Sequence, residues 1–172
     1  DLAQLYDSAD GADTLKATPE QAELLGDGYR NRANSFDSVR AYATEGTGDV
    51  ALLYGDLNQA DTLVAYPDQA KYYGQGFSNE ANSFDYVHGY AAEGSGDVAL
   101  LYGVAGQADT LKAWPDQAVY SGAGFYSRAK SFDYLHAYSG EGDGDAALLY
   151  GNPEAADTFE AWPEVARLTG EG

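Results

Sequence analysis

Apolar and polar residues alternate along this chain in short runs, and the runs return on a fixed period. Asp13, Asp37, Asp61, Asp85, Asp109, Asp133 and Asp157 follow one another at a single constant interval. Two places after each comes an apolar residue, from Leu15 to Phe159, and two further on a small one, from Ala17 to Ala161. Such a run reads as a half-buried strand. In Asp61-Thr62-Leu63-Val64-Ala65-Tyr66, Leu63 and Ala65 share one face, and Thr62, Val64 and Tyr66 the other. The outward places elsewhere hold Lys16, Arg40, His88, Lys112, His136 and Glu160, which marks the solvent face.

A second segment follows each first one in two alternating versions, so the true sequence repeat is twice that interval. One version is Val50-Ala51-Leu52-Leu53-Tyr54, returning at 98 and 146; the other is Gly74-Gln75-Gly76-Phe77, with copies at 26 and 122. Stacked in register, Val50 and Leu52 would lie over the bare backbone of Gly74 and Gly76, a large-to-small fit suited to a packed interior. Turns punctuate the segments. Pro19, Pro67, Pro115 and Pro163 follow the first segment in alternate units, and Glu-Gly-x-Gly-Asp at 45, 93 and 141 takes that place in the others.

Short strands at a constant period of this length predict a repeat architecture. The expected fold is all-β, a parallel β-solenoid of 24-residue coils carrying the 48-residue repeat. Residues 1–172 form one tandem array, with repeats 1–48, 49–96, 97–144 and a partial 145–172. In it Leu63, Leu111 and Leu135 point inward, and the seven Asp form one column. The alternative is an antiparallel array with propeller-like blades, since the full repeat is long enough for a four-stranded blade. Fewer than four blades are present, too few for closure.

Composition narrows the partners. With 28 acidic against 9 basic residues and a net charge of −19, the chain repels nucleic acid and anionic membrane surfaces and attracts cations. No apolar run is long enough to insert across a bilayer. Without Cys there is no thiol chemistry and no disulfide, and the absence of Met with Asp1 as first residue points to a processed product or a fragment. Acidic, Tyr- and Gly-rich repeats of this kind suit an extracellular or cell-surface location. Catalysis is not expected: each carboxylate pair occurs in three or more copies, whereas a catalytic site is usually single. His88 and His136 occupy the place that Arg40 fills one repeat earlier, a surface position.

The acidic positions are the candidate chemistry. A column of carboxylates about 4.8 Å apart repels itself by roughly 1 kcal/mol per pair in water, so something must compensate. Each Asp either caps its turn by accepting backbone N–H groups or shares Ca²⁺ with its neighbours. Glu45 with Asp49, Glu93 with Asp97, and Glu141 with Asp145 bracket Gly-x-Gly turns whose carbonyls are also hard ligands. Gly11-Ala12-Asp13-Thr14-Leu15, Ala60-Asp61-Thr62-Leu63 and Gly48-Asp49-Val50-Ala51 resemble the RTX nonapeptide, G-G-x-G-x-D-x-U-x, of calcium-loaded parallel β-rolls. That resemblance implies Ca²⁺ at the Asp positions. The spacing of 12 and 24 and the missing double glycine keep it to those positions. The chain is also similar in composition to tandem repeats of large secreted bacterial surface proteins.

A second column, Tyr42, Tyr66, Tyr90, Trp114, Tyr138 and Trp162, falls on the solvent face. It reads as an aromatic ladder along the turns, or as a platform for polysaccharide. The expected function is structural: part of a fibre, stalk or surface filament stiffened by Ca²⁺, extended by a longer chain or by self-association. A polysaccharide-binding module is the alternative, and a carbohydrate-active β-helix enzyme ranks below both.

Overall fold

The computed structural model describes residues 1–9 and 11–170, and every regular element among them is a β-strand. The last two residues of the partial fourth repeat lie outside the described residues. Strand β1 (Leu2–Tyr6) precedes three copies of a five-strand set. The first copy holds β2 (Thr14–Ala17), β3 (Gln21–Gly26), β4 (Tyr29–Asn34), β5 (Ser38–Tyr42) and β6 (Val50–Tyr54). The second holds β7 (Thr62–Ala65), β8 (Gln69–Gly74), β9 (Phe77–Asn82), β10 (Tyr86–Tyr90) and β11 (Val98–Tyr102). In the third come β12 (Thr110–Trp114), β13 (Gln117–Gly122), β14 (Phe125–Lys130), β15 (Tyr134–Tyr138) and β16 (Ala146–Leu149). A last hairpin, β17 (Asp157–Trp162) and β18 (Val165–Gly170), pairs with itself.

The first three strands of each set form an antiparallel triplet, and the pairs that join triplets to single strands are parallel. Two sheets result. One runs β1-β5-β9-β8-β7-β11-β15, the other β16-β12-β13-β14-β10-β6-β2-β3-β4. The chain alternates between them at each crossing, giving a parallel β-solenoid of about four turns. Each repeat makes three crossings (one triplet, two single strands) and a turn needs two, so one sequence repeat advances one and a half turns. Successive triplets therefore fall in opposite sheets, and each repeat is turned over relative to the one before.

The expected 24-residue coil is corrected by this register. Parallel partners stand at a 36-residue offset, as with Leu2 and Ser38, Val50 and Tyr86, or Thr62 and Val98, and at a slightly longer one where the last strand of a triplet is met, as with Ser38 and Ser78. Segments one expected coil apart in the sequence are not neighbours: β2 and β5 lie in different sheets, and β9 and β8 stand between β5 and β7. The physical cause is the glycine segment. Gly76 sits at φ 84° in the two-residue turn joining β8 to β9, a conformation open to Gly without strain, so the chain reverses there and takes three ladder places in one crossing. The antiparallel pairing of the alternative is thus present inside the triplets, but parallel single strands join them and no blade forms.

The interior is one apolar cluster drawn from both sheets. Leu15, Leu53, Leu63 and Leu101 are fully buried, spaced by Ala17, Ala41, Ala51, Ala65 and Ala99. Leu63 and Leu111 point inward as their alternation requires, and Leu135 packs against the same cluster partly covered. The fit expected of Val50 and Leu52 over glycine does not occur. Their strand buries Ala51 and Leu53 instead, leaving Val50 and Leu52 half-buried outside. Gly89 marks where the sheets approach closely, since a Cβ there would come 2.5 Å from Leu63 Cδ2 in the facing sheet.

Candidate functional site: carboxylate and tyrosine ladders

Parallel strands in register bring the Asp that precedes each strand beside the Asp at the 36-residue offset. The single column of seven does not exist. It is replaced by Asp13-Asp49-Asp85 on one sheet, Asp61-Asp97-Asp133 on the other, and the pair Asp109-Asp145. Every carboxylate after the first in its ladder accepts backbone N–H groups at the preceding member. Asp49 Oδ1 accepts from Asp13 N–H at 2.7 Å, Asp97 from Asp61 at 2.8 Å and Asp145 from Asp109 at 2.9 Å. Asp85 Oδ2 accepts from Gly48 and Asp49, and Asp133 Oδ2 from Gly96 and Asp97. The repulsion of stacked carboxylates is thus offset by N–H dipoles aimed at them, the capping role for Asp.

The first Asp of each ladder sits deepest. Asp13, Asp61 and Asp109 are buried, and their Oδ2 atoms accept the N–H of Ser8, Asp56 and Val104, five residues back. Oδ1 of Asp61 and of Asp109 is buried with no hydrogen-bond partner among the described residues. Glycine makes the room: a Cβ at Gly74 would fall on Asp61 Oδ1, and one at Gly122 on Asp109 Oδ1. On the other side, a Cβ at Gly55 would come 2.7 Å from Asp61 Oδ2 and 2.5 Å from the Tyr72 hydroxyl. That hydroxyl donates to the Tyr90 carbonyl at 3.2 Å, as Tyr120 does to Tyr138 at 3.3 Å. Burial, reinforced by the nearby carboxylates, pushes the Tyr120 phenol up to about 12 and the Tyr72 phenol still higher. Desolvation also raises Asp49, Asp61 and Asp97 above the usual carboxylate range, with the N–H bonds pulling the other way and neighbouring carboxylates adding to the rise.

The other acidic candidates lie outside this interior. Asp37, Asp133 and Asp157 are exposed, Asp85 is half-buried, and Glu45, Glu93 and Glu141 project from exposed turns. Among the described residues no three His, Cys, Asp or Glu side chains come together as a metal-ligand set. Asp133→Ala leaves the N–H groups of Gly96 and Asp97 without their acceptor and is expected to cost about 1 kcal/mol, at the level of a lost strand cap, read by urea denaturation. An unchanged urea midpoint would show that water replaces the carboxylate at no cost.

The aromatic residues also stack at the 36-residue offset. Tyr66, Tyr102 and Tyr138 form a three-ring stack with centroids 4.5 and 4.8 Å apart and planes within 17° and 13° of parallel. Tyr6 stacks on Tyr42 and Tyr54 on Tyr90, both at 5.0 Å, and Trp114 on Tyr150 at 5.2 Å. One ring of each ladder, namely Tyr6, Tyr54, Tyr102 or Tyr150, comes from the second segment, outside the 24-residue period; its signal is the recurrence of Tyr at the longer offset, from 6 to 42, 54 to 90 and 102 to 138. The Lys16 ammonium lies 5.7 Å from the centre of Tyr54, closing that ring's other side. Trp162 lies on the exposed terminal hairpin.

The outer face of the first triplet carries a charge cluster that the alternation alone does not reveal. Glu23 on β3 pairs with Arg30 and Arg32 on β4, and the Arg30 guanidinium in particular holds its carboxyl below the ordinary range. In the second triplet Gln69 bonds Glu80 and Asn82 across the equivalent strands. Compared with protein-family models, with curated proteins and with solved structures, the chain matches none of them.

Proposed function

We propose that this chain is a structural segment of an extracellular or cell-surface fibre, stalk or filament, and that it performs no catalysis. The observation that carries this is the strand order. Both sheets repeat the same cycle of triplet and two single strands, half a cycle out of step. A repeat that overlays its neighbour by a turn-over and an advance continues without limit, because each copy makes the same contacts to the next. The ladders have the same character: N–H to carboxylate and ring to ring, the contacts between their members join one strand to the next along the axis.

The tyrosine geometry favours a structural ladder over polysaccharide recognition. A sugar ring docks on a free aromatic face, and within the stacks those faces are turned toward one another. Ca²⁺ acts, in this proposal, on the outside of the filament, where Glu45, Glu93 and Glu141 line the turns and the net charge of −19 needs counterions. A saturable rise in melting temperature with Ca²⁺, beyond that given by NaCl at equal ionic strength, is the expected result; equal effects would reduce calcium to screening.

Length tests the main proposal. Each repeat adds five strands over two sheets, so the long axis should grow by roughly 12 Å per repeat at the usual strand spacing. Proteins carrying three and six repeats, compared by small-angle scattering and negative-stain microscopy, should differ in length by three such increments, roughly 36 Å, at constant width. A six-repeat protein of unchanged length and greater width would sink the filament proposal.

A further inference from the structure

We infer that the stacked tyrosines are sites of covalent ladder closure: adjacent rings of the Tyr66-Tyr102-Tyr138 stack couple to dityrosine when a one-electron oxidant reaches them. The placement is set by the backbone. Strands β7, β11 and β15 are parallel and in register, Tyr102 lying opposite Tyr138, so the side chains leave in the same direction. The ring centroids lie 4.5 and 4.8 Å apart with the planes nearly parallel, which leaves the Cε carbons of neighbouring rings within reach of one another. The hydroxyls sense one another, since burial and then the flanking Tyr66 and Tyr138 hold the Tyr102 phenol above its ordinary range. Tyr66 and Tyr138 are 43% and 46% exposed, which lets a small oxidant reach the stack.

The chemistry balances with an external electron acceptor. Each of two tyrosines gives up one electron and its phenolic proton, and the two phenoxyl radicals join through their Cε carbons. The hydrogen on each joined carbon then moves to the ring oxygen, restoring both phenols. In sum, two tyrosines lose two electrons and two protons and gain one carbon–carbon bond. Productive coupling requires two radicals side by side before either is quenched, which is what a pre-stacked pair provides. Each bond would tie neighbouring parallel strands of successive turns, so the covalent link runs along the axis, where a fibre under tension is loaded.

The test uses the whole folded chain, dilute, with a photogenerated ruthenium(III) complex as oxidant and persulfate as the final electron acceptor. Dityrosine fluorescence should appear while the protein stays monomeric, and fragment spectra of linked peptides should join Tyr66 to Tyr102 and Tyr102 to Tyr138. Tyr102→Phe keeps a ring in the stack and should abolish both links while leaving the Tyr6 to Tyr42 link in place. Tyr73→Phe, at an exposed tyrosine outside the stacks, should change neither. The same oxidation in urea should lose the intrachain pattern. Links formed only between chains, links confined to unstacked tyrosines such as Tyr73 and Tyr86, or tyrosine consumed without any dityrosine would each overturn the inference.

Discussion

Gly74→Ala is expected to destabilise the protein by more than about 3 kcal/mol, with Gly122→Ala close behind, although both replace one small residue by another in a strand. The chief cause is a buried carboxylate oxygen, with the edge of the Phe77 or Phe125 ring adding a second, lesser clash at 2.7 or 2.6 Å. A Cβ at Gly74 falls on Asp61 Oδ1, and one at Gly122 on Asp109 Oδ1. Neither carboxylate is free to retreat. Asp61 is 1% exposed, its Oδ2 is held by the Asp56 N–H at 2.5 Å, and its own N–H is held by Asp97. Gly76→Ala is the contrast, for a Cβ there meets nothing within 4 Å and the cost is only that of a left-handed backbone, about 1–2 kcal/mol. Urea denaturation of the two variants separates steric from conformational cost. A double-mutant cycle with Asp61→Ala fixes the cause, because removing the oxygen makes room for the methyl and the two costs should fall well short of adding. Strict additivity would show that Gly74 matters for some other reason.

Stability, and with it the melting temperature, should rise as pH falls from 7 toward the ordinary carboxylate range, each kcal/mol gained adding about 2–4 °C for a chain of this length. Asp49, Asp61 and Asp97 have folded values raised above their unfolded ones, chiefly by desolvation. A group shifted in that direction contributes stability that is fully present below its unfolded value and lost as pH rises through its folded value. Protonation also reduces the self-repulsion of a chain at net charge −19. Two groups oppose. His88, held below its ordinary value by burial and Arg128, contributes stability above its unfolded range that fades as pH falls through 6.5. Glu23, depressed by Arg30 and Arg32, contributes above its unfolded value and loses that contribution as pH falls below about 4.5. The optimum therefore lies on the acid side of neutrality, and His88→Gln should steepen the rise toward it. Thermal melts across this range at constant ionic strength give the answer, and a maximum at pH 7 or above would show that the buried carboxylates are solvated rather than desolvated.

Much of the fold is legible in the chain itself. The alternation of Leu63 and Ala65 with Thr62, Val64 and Tyr66 tells which face is buried, and that is what the structure has. The acidic and aromatic positions are all visible as repeats, and Asp as a backbone cap is one of the two readings open at those positions. What the pattern does not carry is the identity of each strand's neighbour. Strand pairing is made by backbone groups that are the same in every residue, so alternation orients a strand without choosing its partner.

That choice rests on one local event, the reversal at Gly28, Gly76 and Gly124, which turns an expected strand into the bend of a hairpin and shifts the pairing offset from 24 to 36. Gly74 and Gly122 look like part of the same turn, yet their sterics are set by carboxylates just ahead of a different strand of the triplet, Asp61 and Asp109. Composition and periodicity by themselves determined an all-β repeat array with a known inner face. Which Asp lies beside which, which tyrosines stack, and why particular glycines are required were decided by tertiary structure, because each depends on atoms brought together across strands and only the closed ladder fixes those distances.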